Sequence, residues 1–277
     1  MRLLLKLIPK RSHPYVNDYH YYLQSAIYSL IRQGGRPDVH EYHGYKFFCF
    51  SNIFPYGDFK EGTERNLLVS SPDSDIMRSI ERASRSKMKN GEVFVVGDLQ
   101  FAIFDVSKPF RITIEGTETK IHSDTPIVIR IPRARYPDYG IKPNIDYDYV
   151  YWRETIPLEA FVKQLGDNMA KKAKKFLYGD RASSKVPKFS NVDKVTLPEI
   201  TDYRFIRSIA KPITVRHGKQ IVIGSMWDLN FLARDPDERR TLEISLDSGL
   251  GERNSLGFGF ANPIKLSYPN HGEDKTC

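Results

Sequence analysis

The chain has 277 residues, 40% of them hydrophobic and 27% charged, with a formal net charge of +8 at pH 7. This is the composition of a globular protein, long enough for one large domain or two medium ones, and its basic excess points to nucleic acid or another anionic surface as partner. Two cysteines, Cys49 and Cys277, and no CxxC pair exclude a disulfide framework and a structural zinc site, and the absence of a signal peptide or of any span-length apolar run predicts a cytoplasmic protein with no membrane partner.

Residues 3–8 read as a first strand that Pro9 ends. Asn17 or Asp18 can cap a helix that runs to Gln33 and stops at Gly34-Gly35, with Tyr19, Leu23, Ala26, Ile27 and Leu30 on one face. Residues 45–53 and 66–70 read as strands. Ser74 or Asp75 opens a second helix that ends near Asn90-Gly91, and residues 92–96 and 101–106 are again extended. The order strand, helix, two strands, helix, strand is that of the ferredoxin-like βαββαβ unit.

A second such unit is expected to follow. Residues 125–131 form a β-branched strand closed by Pro132, and residues 157–178 a helix with Leu158, Phe161, Leu165 and Met169 at helical spacing. Residues 203–216 and 219–233 form a long hairpin, 235–247 a helix with Pro236 at its start, and 258–268 a last strand. The predicted fold is therefore α+β, two tandem ferredoxin-like (βαββαβ) domains at residues 1–118 and 119–277, with one α+β domain built on a single large sheet as the alternative.

Between the last helix and the last strand lies Gly249-Leu250-Gly251-Glu252-Arg253-Asn254-Ser255-Leu256-Gly257-Phe258-Gly259. Glycine allows positive φ and close backbone approach, and successive exposed N–H groups form an anion nest. The helix leads into this loop and a strand leads out, which reverses the order of the dinucleotide-binding and Walker motifs. A ligand-free glycine hairpin is the plainer reading of one Gly-X-Gly pair. Two pairs around Arg253, Asn254 and Ser255 favour a phosphate or RNA-backbone clamp.

Those two Gly-X-Gly pairs, five residues apart near the C-terminus, resemble the signature loop of the RAMP superfamily. More narrowly, the chain resembles the CRISPR-associated endoribonucleases that process pre-crRNA by cutting within its repeats. Tyr22-Leu23-Gln24-Ser25-Ala26-Ile27-Tyr28-Ser29-Leu30-Ile31, Val39-His40-Glu41 and Tyr45-Lys46-Phe47-Phe48 match that family's opening in order and spacing. The resemblance covers essentially the whole chain and is loose in the middle.

It implies two ferredoxin-like domains and metal-independent RNA cleavage with no cofactor. In that reaction a ribose 2′-OH attacks the adjacent phosphate and leaves 2′,3′-cyclic phosphate and 5′-OH ends. Such chemistry needs a base, an acid and a cation beside the phosphorane. The positions that match the family's catalytic set are Tyr28, His40 and Lys46. The implied partner is CRISPR repeat RNA; whether the protein works as a homodimer or as a subunit of an interference complex is left open. A non-catalytic RAMP-type RNA-binding subunit is the alternative.

Read by themselves, these residues are less specific. On a helical wheel Tyr28 lies about 140° from Leu23, off the apolar stripe, as an ordinary surface tyrosine would. His40 follows Gly34-Gly35 and Pro37 in a loop, with His43 as competitor, and Lys46 begins the Phe-rich strand. His20 flanks the apolar stripe and reads as a packing residue. Which of Tyr28, His40 and His43 is acid and which is base is not settled by sequence. RNA-binding residues are expected in the loop at Gly249, Gly251, Arg253, Asn254, Ser255, Gly257 and Gly259, and along the hairpin at Arg207, Lys211, Arg216 and Lys219. Lys171, Lys172, Lys174 and Lys175 end a helix, where the macrodipole alone favours them.

Overall fold

The computed structural model describes residues 1–16, 19–42, 44–142, 147–179, 195–215 and 218–264. In β1 (Arg2–Pro9) Leu3, Leu5 and Leu7 are wholly buried and alternate with the half-exposed Leu4, Lys6 and Ile8, so one sheet face turns inward. Then come α1 (His20–Gln33), the single turn α2 (Asp38–Glu41), β2 (Cys49–Phe50), β3 (Arg65–Ser70), α3 (Ser74–Asn90), β4 (Val93–Val96) and β5 (Leu99–Val106). The sheet order is β2-β3-β1-β5-β4, with Leu5 opposite Leu67 and Leu7 opposite Ile103 in antiparallel register. Leu23, Ile27 and Leu30 of α1 and Ile76 and Ile80 of α3 close the core. Asp73 caps α3 by accepting from the amides of Asp75 and Ile76, and Gly91 ends it with φ 67°.

The second unit holds β6 (Glu118–Ser123), β7 (Arg130–Pro132), β8 (Tyr149–Tyr151), α4 (Leu158–Tyr178), β9 (Glu199–Val215), β10 (Gly218–Leu232), α5 (Pro236–Ser248) and β11 (Ala261–Pro263). Its sheet runs β11-β6-β10-β9, and β7 and β8 pair apart as a two-stranded ribbon. Trp227 sits at its core, 4.5 Å from Phe161 between ring centroids, with Ile121, Leu229, Leu242 and Leu246 around them. With β4 set aside as an added edge strand, both sheets follow the ferredoxin-like order, fourth-first-third-second. The fold is two tandem ferredoxin-like units. Among the described residues no helix is long and apolar enough to cross a membrane.

Three expectations need correction. The first strand of the second sheet is Glu118–Ser123, not residues 125–131. The β-branched run is buried because it lies between β10 and the glycine loop, bridging Ile127 to Ser225 and Val128 to Glu252. Of residues 45–53 only Cys49–Phe50 is strand, because Phe47 takes a left-handed φ of 54°. Among the described residues the last strand is Ala261–Pro263, and residues 265–268 of the expected one lie outside them. The helix caps expected at Asn17 and Asp18 lie outside the described residues, as do His43 and Arg216.

Arg2 ties the two units together. Its guanidinium is buried, lies 4.6 Å over the Phe260 ring, and donates to the carbonyl of Ala261 at 2.6 Å and to the Asn262 side chain. The start of the first sheet therefore docks beside the end of the glycine loop.

Candidate RNA-cleavage site

Helix α1 carries a second stripe besides its core face. Tyr21, Gln24 and Tyr28 fall at i, i+3 and i+7 and are half-buried against the second unit. Tyr21 packs on the small cluster of Val128, Ile213, Val222, Leu256 and Phe258. Gln24 Nε2 donates to Ser255 Oγ at 3.1 Å, and the same serine acts on the Tyr28 phenol. Burial pushes the Tyr28 phenol up to about 12, against a smaller downward pull from Ser255. Tyr28 is thus no free surface tyrosine; it packs on the first unit's core beside Phe48 and His40, which a wheel drawn for one helix cannot see.

His40 is exposed on α2, edge-on to Tyr28 with ring centroids 5.0 Å apart. Phe48 supports Tyr28 from another side at 5.1 Å. The Lys46 ammonium lies 6.0 Å from the centre of the Tyr28 ring. It donates to the carbonyls of Val39 at 3.1 Å, His40 at 2.8 Å, and Tyr42. It stands in an irregular stretch, not at a strand start as expected, and it braces the segment that carries His40. The structure therefore brings Tyr28, His40 and Lys46 together.

The glycine loop departs most from its expected form. Its four glycines are buried, and the part turned to a cleft of about 440 Å³ is Gly251 to Ser255, with Lys46 and Phe48 on the facing wall. Arg130, Gln164, Asn168 and Lys171 also line this cleft. The amides of Leu250, Glu252 and Gly259 donate to Gly259, Val128 and Pro126, and those of Leu256 and Gly257 stay within the loop. Close approach explains the glycines: a Cβ on Gly259 would lie 1.9 Å from the Leu250 oxygen, and one on Gly257 2.4 Å from the Phe50 ring.

Asn254 is an internal brace, its amide donating to Leu250 at 3.0 Å and Phe258 at 2.8 Å. Arg253 and Ser255 are the loop's polar side chains at the cleft beside Glu252. On the hairpin Arg207 is exposed, and the Lys219 side chain and Arg216 lie outside the described residues. Lys211 turns inward, 2.5 Å from His20 Nε2, and burial lowers it to about 8. That histidine is buried beside Asn52 and the Leu256 carbonyl, 3.1 Å from Nδ1. Burial first, and the charge of Lys211 second, lower His20 to about 3. It is a neutral packing residue that secures the loop.

Sequence reasoning missed Lys172. Its ammonium is buried and donates to the carbonyls of Gly249 and Gly251, each at 2.6 Å, and to Asn254 Oδ1 at 2.5 Å. Burial lowers it to about 7, with Cys49 and Glu252 acting the other way. A signal was present, since Lys172 continues the apolar stripe Leu158, Phe161, Leu165, Met169. A lysine in a buried stripe must find buried acceptors, here the loop's carbonyls.

Comparison with known proteins places this geometry. The family model described as CRISPR associated protein Cas6, C-terminal, matches residues 107–263. The chain is 29% identical over 279 residues to the CRISPR-associated endoribonuclease Cas6 of Haloferax mediterranei, covering 99% of this chain and 97% of that protein. It is also 29% identical over 266 residues to CRISPR-associated endoribonuclease Cas6 2 of Methanocaldococcus jannaschii, covering 96% and 100%. Among solved structures, the product of a Cas6-related gene from Pyrococcus furiosus is similar in fold, with a TM-score of 0.66 at 18% identity, over 96% of this chain and 99% of that one.

Proposed function

The chain belongs to the Cas6 family of CRISPR-associated proteins, and from that premise we propose that it is an endoribonuclease that cuts CRISPR repeat RNA to guide RNAs. The observation that carries this reading is the convergence on Ser255. One hydroxyl of the glycine loop meets Tyr28 of α1, and the loop's Arg253 lines the same cleft as Lys46. On this reading Ser255 stands between the residues that would hold an RNA backbone and those that would move protons.

The proposed reaction is attack of a ribose 2′-OH on the adjacent phosphate. The 2′ oxygen gives its proton to His40 and bonds to phosphorus, the bond to the 5′ oxygen breaks, and that oxygen takes a proton from water. The products are a 2′,3′-cyclic phosphate and a 5′-OH, and no metal takes part. Histidine is the side chain commonly used for proton transfer in such reactions, and we assign the 2′-OH proton to His40. A tyrosine held up at about 12 stays protonated at neutral pH, so Tyr28 acts as a hydrogen-bond donor rather than as the base. Lys46 holds the His40 segment in place and leaves positive charge beside the cleft. Arg253 grips a phosphate, and Ser255 orients Tyr28.

The test is incubation with repeat RNA in EDTA, followed by mapping of the ends. Cleavage should persist in EDTA and should vanish when deoxyribose replaces the nucleotide 5′ of the cut. Loss in EDTA, or cutting of the deoxy substrate, overturns the mechanism. His40→Ala should slow single-turnover cleavage by about 10²–10⁴-fold with RNA affinity kept. An unchanged rate removes His40 from the reaction.

A further inference from the structure

The ribbon of β7 and β8 lies beside the cleft and has no part in the chemistry above. Tyr149 is half-exposed, with the Arg130 guanidinium 4.7 Å over its ring and the Tyr151 ring edge-on at 5.4 Å. Tyr151 in turn packs on the cluster of Val128, Ile213, Leu256 and Phe258. Arg130 is fixed by an ion pair with Glu252 of the glycine loop, whose carboxylate also accepts from the Arg130 amide at 3.2 Å. Both tyrosines are therefore held before any ligand arrives.

Arg253 follows Glu252 and takes a left-handed φ of 60°, a conformation that a non-glycine residue adopts only where its surroundings hold it there. Its charge acts on both phenols, and hydrogen bonds from Tyr151 and then Arg130 keep the Tyr149 phenol below its ordinary range. Arg130 and Arg253 also line the cleft that holds Lys46. The ribbon thus reaches, through Arg130, the cleft that Lys46 and Arg253 line.

We propose that Tyr149, backed by Arg130, seats one unpaired nucleobase of the RNA by stacking, while Arg253 takes a phosphate of the same stretch. This rests on the reading of the protein as an RNA-cutting enzyme and adds a subsite to it. A partly exposed ring fixed by a cation is suited to stacking, which accepts any base, and a neighbouring arginine supplies backbone contact. The ligand class is a single-stranded nucleotide flanking the cut.

The experiment uses a repeat RNA that the protein cuts, with each of three nucleotides on either side of the mapped cut made abasic in turn. In the wild-type protein one abasic position should weaken binding about tenfold. Tyr149→Ala should weaken binding of the intact RNA by a similar factor, and the same abasic position should then cost nothing more. Tyr149→Phe, which keeps the ring, should bind as the wild type does. Losses that add at every position, or a Tyr149→Phe variant as weak as Tyr149→Ala, overturn the stacking seat while cleavage stands. A wild-type protein that cuts no repeat RNA overturns the functional reading and the subsite with it.

Discussion

The two ferredoxin-like units share a strand order and differ in what they do with their first helix. In the first unit α1 follows β1 directly and turns a polar stripe, Gln24 and Tyr28, toward the glycine loop. In the second, residues 124–157 separate β6 from α4, and α4 offers the loop one fully buried lysine. The loop is gripped from both sides by equivalent helices. One grip is part of the proposed chemistry and partly open to water; the other is sealed and holds the backbone in shape. A repeated fold can thus divide positioning and support between its halves.

The sharpest way to break this comparison is Lys172→Met. It leaves two loop carbonyls and Asn254 without their shared donor, and should cost about 3 kcal/mol in guanidinium unfolding, with cleavage lost as the loop loosens. Stability within about 0.5 kcal/mol of wild type would show that the α4 grip is dispensable.

On the α1 side the effect should depend on pH. The folded His20 titrates near 3 and an unfolded histidine near 6.5. Between those values the unfolded chain binds the extra proton. The stability from His20 is therefore complete above about 6.5 and is lost as pH falls toward 3, by at most about 1.4 kcal/mol per pH unit. Urea unfolding across that range should show the slope, and His20→Gln should flatten it. A variant with the wild-type slope would clear His20 of the effect.

The smallest change is Ser255→Ala. It should slow cleavage about tenfold, roughly 1.4 kcal/mol, with unfolding unchanged. A matching loss of stability would make Ser255 a prop like Lys172 and erase the distinction.

The fold was largely legible in the sequence, since alternating leucines in β1 and helical stripes in α1 and α4 reflect local burial. The strand at Glu118–Ser123 was not, because its alternation is polar and the stronger β-branched run nearby is buried for another reason. At the site, Tyr28, His40 and Lys46 were reached by resemblance, and the approach of Ser255 to Tyr28 depends on contact between units that no local pattern encodes. The glycines were visible, but the close contacts that require them, such as Gly259 on the Leu250 oxygen and Gly257 on the Phe50 ring, were not.

That interface has a consequence for biosynthesis. The residues proposed to move protons lie within the first fifty positions, and Ser255 lies more than two hundred residues later. Domains fold as units, N-terminal first during synthesis. The first unit can leave the ribosome with Tyr28 and His40 in place, yet without the serine that orients the phenol or the arginine that grips a phosphate. A nascent chain therefore carries an unarmed half-site through most of translation. Its arming waits for the second unit to fold and bring the glycine loop against the first.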